Sequence, residues 1–319
     1  MGRHLWRTAA PLVSLVLGVV GLFSVVSSAL ADDAPATLGY DISWPQCEGF
    51  KTPVERPQFA IIGVNGGRAY TVNKCLKAQW AWAAKGNLPA AVYINLNHPR
   101  TWTSQSESGP AGTCRSDDDW CLAYNFGYNA AAFAVSHARS QGVSPAFWWL
   151  DVETMNYWSS DTDLNAHIIG AAIDYFRERQ LPVGAYSTPY QWREIAGRYA
   201  PGLPAWTAGA IGLEQAVTRC TSKYAFAGGQ VALVQYVEEF DTNYVCPGRA
   251  ADAGLERPKE AVAEQVTASA PLPSELTPGL LPATAQTPAT PRTTGSAFKL
   301  NPIPAPRSVL DEVIPLPFR

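Results

Sequence analysis

Short apolar segments alternate with longer amphipathic ones between residues 38 and 245. Eight segments have the length and the β-branched or aromatic content that predict strands. Several are apolar at nearly every position, which is typical of strands covered on both faces in a parallel sheet. The predicted strands are YDIS (40–43), QFAIIGV (58–64), PAAVYINL (89–96), FWWLDVE (147–153), PVGAYS (182–187), PAWTAG (204–209), VALVQYV (231–237) and FDTNYV (240–245).

Helical spacing of apolar residues predicts four helices between these strands. They span residues 73–85, 121–140, 161–179 and, as a short helix, 191–198. Strands and helices that alternate in this way predict the α/β class. Eight strands in some 219 residues favour a single closed barrel over an open doubly wound sheet, and no G-x-G-x-x-G supports a Rossmann domain.

The two ends of the chain differ in composition from its middle. Residues 32–250 contain all 13 Tyr and ten of the 11 Trp, whereas residues 251–319 contain 12 of the 26 Pro. We therefore predict a barrel domain over 32–250 and a disordered Pro/Ala/Thr-rich tail over 251–319, since the tail can bury little apolar surface.

Residues 1–31 have the features of a secretory signal peptide. A basic start and an apolar run precede Ala29-Leu30-Ala31, a small-residue cleavage site. The alternative is an uncleaved membrane anchor, although the apolar run is shorter than the roughly 20 residues that span a bilayer. We expect a secreted or cell-wall-associated monomer with no stable membrane insertion after cleavage.

All six cysteines follow the predicted signal peptide, so export would place them in an oxidising compartment. An even number of cysteines in an oxidising compartment predicts disulfides. Many pairings are possible, and we favour the sequential one because each bridge would clip a local loop or neighbouring chain ends: Cys47–Cys75, Cys114–Cys121 and Cys220–Cys246. No C-x-x-C or H-E-x-x-H occurs, so we expect no metal and no other cofactor. The net charge of −3 argues against a nucleic-acid partner.

Four acidic residues lie where a barrel carries an active site. Asp151 and Glu153 end a predicted strand and share one face, because they are two residues apart. Asp41 and Asp241 lie in the first and last strands, which are neighbours in a closed barrel. Mutual repulsion and aromatic surroundings would raise one carboxyl pKa, as a general acid requires. Paired carboxylates serve glycoside hydrolysis, and the alternative is a set of solvated acids at the rim.

Six short motifs occur in a fixed order: GYDIS (39–43), FAIIGVNGG (59–67), LDVE (150–153), PVGAYSTPYQW (182–192), VQY (234–236) and FDTN (240–243). Together they resemble glycoside hydrolase family 25, the lysozymes or N-acetylmuramidases, over about residues 39–245. The resemblance implies a single irregular TIM-like (β/α)5(β)3 barrel. It also implies a secreted enzyme that cleaves β-1,4 glycosidic bonds of peptidoglycan or a related polysaccharide.

The resemblance also assigns roles to the acids. Glu153 would be the general acid, and Asp151 would either attack the sugar or orient the substrate's own acetamido group. Asp41 and Asp241 would set the charge of the site and hold the sugar. The candidate substrate-binding residues are aromatic or amide side chains, for which core or rim packing is the alternative: Tyr93, Trp44, Trp158, Tyr186, Gln235 and Tyr236.

The chain departs from the family pattern in three places. Asn65 stands where the family usually has an acid, and the third strand has YINLNHP where the family has a pattern like Y-H-F. Residues 97–120 form a long polar insertion with Trp102 and Trp120. This insertion is either a lid or an extra sugar subsite, or a disulfide-clipped solvated loop.

Two other functions stay open. A barrel that binds cell-wall glycan without cutting it would explain the altered second and third strands. A chitinase-like enzyme would need the longer D-x-x-D-x-D-x-E pattern, but Trp149 stands at one of its earlier acidic positions. No G-x-S-x-G occurs, which argues against a serine hydrolase.

Overall fold

A closed barrel of eight strands forms the centre of the computed structural model, which describes residues 36–49 and 51–256. All eight predicted strands are present, and a small additional hairpin lies in the insertion. The barrel strands are β1 (Leu38–Ile42), β2 (Ala60–Gly63), β3 (Ala91–Asn95), β6 (Trp148–Asp151), β7 (Val183–Ser187), β8 (Leu203–Ala210), β9 (Gly228–Val237) and β10 (Asp241–Val245); the hairpin is β4 (Ser108–Gly109) and β5 (Gly112–Thr113).

The order of strands around the barrel is β1-β2-β3-β6-β7-β8-β9-β10, and β10 closes onto β1. Neighbouring strands from β1 to β9 are parallel, whereas β10 is antiparallel to both β9 and β1. The direction reverses because only residues 238–240 connect β9 to β10, and so short a connection can only form a hairpin. The predicted irregular α/β barrel is confirmed.

Helices cover most of the parallel crossovers. The four predicted helices are present as α1 (Leu76–Ala83), α3 (Asp119–Ser140), α4 (Thr162–Glu178) and α5 (Pro189–Ala196), and two further short helices are α2 (Ser104–Glu107) and α6 (Gly212–Thr218). The sequence pattern predicts neither α2 nor α6, because each is too short to show a helical repeat of apolar residues. A 3-10 helix, Trp44–Cys47, stands in the connection from β1 to β2.

Side-chain alternation separates two apolar layers. On β6, Trp149 points into the barrel and packs with Trp206 and Phe59, while Trp148 and Leu150 point outward against the helices. Because successive strand residues face opposite sides, Asp151 follows Trp149 into the interior. This alternation places the carboxyl group of Asp151 at the end of the barrel core.

The 97–120 insertion is anchored to helix α3. Asn125 of α3 is fully buried, and its side-chain amide donates to the carbonyls of Ser106 and Gly112 while its oxygen accepts from the Ala111 N–H. Most side chains of the insertion are exposed, as expected for a solvated loop. A second amide of α3, Asn129 Nδ2, donates to the carbonyls of Gln105 and Ser108, so two amides hold this polar segment against the helix.

All three predicted disulfides are present in the structure: Cys47–Cys75, Cys114–Cys121 and Cys220–Cys246. Each joins segments that are close in the chain, as the sequential pairing assumed. Cys114–Cys121 closes the insertion onto the first turn of α3, so the insertion is clipped at its end.

The folded part of the chain extends past the predicted boundary at residue 250. Ala253 and Leu255 are buried in the interior layer. Residues 1–31, the predicted signal peptide, and residues 257–319 of the predicted tail lie outside the described residues. Within the described ranges, no helix is long and apolar enough to cross a bilayer.

We expect Leu255→Ala to lower the free energy of unfolding by about 2–4 kcal/mol, because truncation leaves a cavity in a packed layer. Urea denaturation of the oxidised protein measures this change. Ile211→Ala is the matched control, since that side chain is 82% exposed and should change stability by less than about 0.5 kcal/mol. Equal effects of the two substitutions would contradict the burial of residues after 250.

Candidate active site

A cavity of about 650 Å3 opens at the end of the barrel where the parallel strands have their carboxyl ends. Active sites of α/β barrels lie at this end. The cavity lining brings together eight of the ten predicted catalytic and substrate-binding residues: Asp41, Trp44, Tyr93, Asp151, Glu153, Tyr186, Gln235 and Asp241.

The other two predicted residues, Trp158 and Tyr236, do not line the cavity. Tyr236 follows Gln235 on β9 and therefore points to the opposite face, where it is buried against Tyr244. Trp158 packs against the helix layer, and its indole N–H donates to the main-chain oxygen of Glu153 at 2.9 Å. Trp158 thus supports the backbone of a site residue.

Asp41 is a buried carboxyl group held by two amides. Gln235 Nε2 and Asn243 Nδ2 both donate to Asp41 Oδ2, at 2.9 and 2.7 Å. Each amide is itself oriented, because Tyr186 Oη donates to Gln235 Oε1 and Trp206 Nε1 donates to Asn243 Oδ1. Asn243 and Gln235 are direct partners in the β9–β10 ladder, which explains why they reach the same oxygen.

Asp151 is 4% exposed, and its nearest polar partner is an amide of the next strand. Asn95 lies opposite Asp151 in the β3–β6 ladder, and Asn95 Nδ2 donates to Asp151 Oδ2. Asp151 Oδ1 is buried with no hydrogen-bond partner among the described residues. Asn65 supports this pair, because its side chain donates to the Asn95 carbonyl at 2.9 Å and accepts from the Asn95 N–H at 3.1 Å.

Glu153 lies just beyond β6 and is only partly buried. Gln191 Nε2 approaches Glu153 Oε1 at 3.5 Å. Thr154 orients this amide, because its N–H and its hydroxyl both donate to Gln191 Oε1 at 2.7 and 2.9 Å. Of the two carboxyl groups of the D-x-E motif, Glu153 is therefore the more accessible and the more weakly hydrogen-bonded.

All four carboxyl groups have raised pKa values. Burial is the main cause for each, and it raises the pKa values of Asp41 and Asp151 far above the ordinary range. Repulsion adds to it, from Asp241 at Asp41 and from Glu153 and then Asp41 at Asp151. The site therefore holds protons at pH values where exposed carboxyl groups are ionised.

Aromatic rings form the walls between these acids. Trp206 contacts both Tyr186 and Tyr93, with ring centroids 4.4 and 6.2 Å apart. Gly63 makes room for Tyr93, since a Cβ there would lie 2.8 Å from the tyrosine ring. Trp44 is 49% exposed at the cavity rim, where its ring can stack on a sugar.

Sequence reasoning missed five residues that shape the site: Asn95, Gln191, Trp206, Asn243 and Arg68. Asn243 could have been found, because it is two residues from Asp241 and shares its face. Gln191 gave no such signal, because the position of its side chain depends on the course of the loop after β7.

Two comparisons by sequence agree on the type of protein. The family model described as "Lysozyme-like protein 1" matches residues 121–212, a range that contains Asp151 and Glu153. "Probable GH family 25 lysozyme 2" of Dictyostelium discoideum is 24% identical over 163 residues, which cover 47% of this chain and 72% of the relative. The resemblance to family 25 lysozymes is confirmed.

Solved structures of similar proteins include two lysozymes. The muramidase of Acremonium alcalophilum is 15% identical with a TM-score of 0.43, over 68% of this chain and 99% of the other. The bacterial lysozyme of Streptomyces coelicolor is 16% identical with a TM-score of 0.43, over 69% and 95% of the two chains.

The buried Asp151 makes stability depend on pH. Its raised pKa means that the folded chain binds more protons than the unfolded chain at pH values from about 4 upward. Folding stability should therefore fall as the pH rises through that window. Asp151→Asn removes the cost of ionising a buried carboxyl group. The free energy of unfolding of the variant minus that of the native protein should therefore be larger at pH 7 than at pH 4.

Urea denaturation at both pH values measures this difference, which corresponds to about 1.4 kcal/mol for each unit by which the pKa is raised. Glu214→Gln is the control, because Glu214 is exposed on α6. A stability difference for Asp151→Asn that is the same at both pH values would show that Asp151 is not desolvated.

Proposed function

We propose that this protein is a secreted muramidase-like glycosidase that cleaves β-1,4 bonds of peptidoglycan or a related wall polysaccharide. The observation that carries the proposal is the pair Asp151 and Glu153, which lie at the end of β6 and just beyond it and line one cavity with Asp41 and Asp241. Two carboxyl groups beside a sugar site are the machinery of glycoside hydrolysis. Action on a wall polymer also fits export by the predicted signal at residues 1–31.

Glu153 is the general acid in this proposal. Burial raises its pKa, so it holds a proton closer to neutral pH, while its partial exposure leaves the carboxyl group accessible to substrate. It gives that proton to the glycosidic oxygen as the bond to the anomeric carbon breaks. The resulting Glu153 carboxylate then accepts a proton from the water that completes hydrolysis.

Asp151 supplies negative charge on the other side of the reacting carbon. The Asn95 amide donates to Asp151, and hydrogen bonding to a carboxylate favours its charged form. The interaction between the two acids acts the other way, because it raises the pKa of Asp151 and lowers that of Glu153. A proton shared by the pair in the free protein therefore lies on Asp151, and catalysis requires bound substrate to draw it to Glu153. Asp151 then either attacks the anomeric carbon or orients the substrate's acetamido oxygen to attack it.

The burial of Asp151 favours the second candidate function, a barrel that binds glycan without cutting it. The carboxyl group is 4% exposed, and its raised pKa opposes the charge that catalysis requires. Asn65 and Asn95 replace residues typical of the family; Asn95 donates to Asp151, and Asn65 holds the main chain of Asn95. The experiment below distinguishes the two functions.

Glu153→Gln should abolish release of new reducing ends from peptidoglycan, by at least about a thousandfold, while the protein still folds and sediments with the wall. The amide keeps the size of the side chain but carries no proton to donate. Reducing-end analysis of the full chain measures the rate. Glu194→Gln is the control, since Glu194 is exposed on α5.

Activity in both variants would remove Glu153 from the mechanism. No activity in the native protein, together with sedimentation on the wall, would favour the binding barrel.

Arg68 supports a substrate that carries carboxylates. It is an exposed cation at the edge of a cavity otherwise rich in acids. Peptide stems of peptidoglycan carry carboxylates, whereas N-acetylglucosamine oligomers carry none. We propose that Arg68 pairs with a stem carboxylate and so favours peptidoglycan over neutral polymers.

Arg68→Ala should raise KM for soluble peptidoglycan fragments about three- to tenfold, because one charge-assisted contact is lost. The value for neutral N-acetylglucosamine oligomers should not change. Steady-state assays on both substrates, repeated in high salt, measure the difference. An equal rise on both substrates would contradict this role for Arg68.

A further inference from the structure

A second groove, of about 470 Å3, lies outside the barrel between α3, α4 and the chain that follows α5. Trp120 and Tyr124, one helical turn apart on α3, form one wall, and Tyr199 contributes to the other side. The small residues Ala166 and Gly170 of α4 leave room between them. This volume lies within the range of about 300–1,000 Å3 that is typical of small-molecule sites.

Trp120 is a firmly held ring that remains 52% exposed. The residue before it, Asp119, accepts a hydrogen bond from the Trp102 indole at 2.7 Å, and the residue after it, Cys121, is bridged to Cys114. The His167 ring meets the Trp120 ring edge to face, with centroids 4.9 Å apart. The fold thus fixes a large apolar ring and leaves part of it open to solvent.

Polar groups surround this ring. Asp174 accepts a hydrogen bond from the Tyr124 hydroxyl at 3.0 Å, and the exposed side chains of Asp163 and Arg198 also line the groove. A pyranose has an apolar face of C–H groups and a periphery of hydroxyls. Aromatic faces suit the first, and carboxylates and a guanidinium suit the second.

Charge and position favour a wall glycan as the occupant. The groove carries the carboxylates of Asp163 and Asp174 and the guanidinium of Arg198, and this net negative charge disfavours a polyanionic ligand. Helices α3 and α4 follow strands β3 and β6, so Trp120 and Asp163, in their first turns, lie toward the end of the barrel that carries the candidate active site. A long glycan strand could therefore be held at this end of the molecule by sites outside the cavity.

We propose that this groove is a second carbohydrate-binding site, which holds an N-acetylhexosamine unit of the wall glycan by stacking on Trp120. The inference rests on the proposed function, since it takes the same polymer as ligand. The groove keeps the protein on insoluble wall while the barrel cavity acts on single bonds. It contributes nothing to substrates too short to leave the cavity.

The test uses the full chain with Glu153→Gln, so that binding is measured without turnover, and purified peptidoglycan sacculi as the probe. Adding Trp120→Ala should weaken sedimentation with sacculi about three- to tenfold, as expected for the loss of one stacking ring. Trp120→Phe should recover most of the binding. Phe133→Ala, which removes another exposed aromatic of α3 outside the groove, is the matched control and should leave binding unchanged.

A second arm uses proteins that retain Glu153. Trp120→Ala should lower the rate on sacculi by a similar factor and leave the rate on a soluble tetrasaccharide unchanged. Equal sedimentation of the Trp120→Ala, Phe133→Ala and parent proteins, including none by any of them, would overturn the second site. Equal losses of sedimentation in the Trp120→Ala and Phe133→Ala proteins would also overturn the second site. A native protein that cuts nothing would contradict the proposed function, while the sedimentation arm would still decide the groove.

Discussion

The candidate site depends on how the barrel compensates a buried carboxyl group. Asp41 is almost completely removed from water, which is costly unless hydrogen bonds replace those to solvent. Gln235 and Asn243 provide them, and they are adjacent because β10 closes the barrel as an antiparallel strand. Tyr186 and Trp206 then hold these two amides. Asp41, the two amides and the two aromatic side chains therefore form one hydrogen-bonded network across the closing strands. A substitution of any member should affect the others.

The alternation of side chains between the two faces of each strand determines which residues belong to this network. Each barrel strand sends alternate residues inward, so Gln235 reaches Asp41 while its neighbour Tyr236 packs outside. The same rule sends Asp151 inward after Trp149. Glu153 follows the end of β6, where it stays at the cavity but gains solvent exposure. The end of the strand thus gives two neighbouring carboxyl groups different environments, which is what an acid and a charged partner require.

Local patterns were sufficient to predict the strands, the convergence of the four acids and the pairing of nearby cysteines. They could not show which side chains hold the acids. Gln191 meets Glu153 only because of the loop after β7, and Trp158 supports the same residue through its indole rather than binding in the cavity. The burial of Leu255 was not predictable for another reason: its segment has the composition of a tail, and only the fold brings it against the interior layer. Each failure concerns contacts that the three-dimensional course of the chain creates.

The departures from the family pattern form a consistent set around Asp151. An acid at position 65 would add a fifth carboxyl group near Asn95, whereas Asn65 both donates to and accepts from the Asn95 main chain. These two contacts fix the Asn95 backbone, and the Asn95 side chain donates to Asp151. Neutral amides rather than cations donate to both buried acids, and the raised pKa values of these acids follow from burial and mutual repulsion. The charge that substrate meets in the cavity therefore depends on how many protons the four carboxyl groups of the site hold.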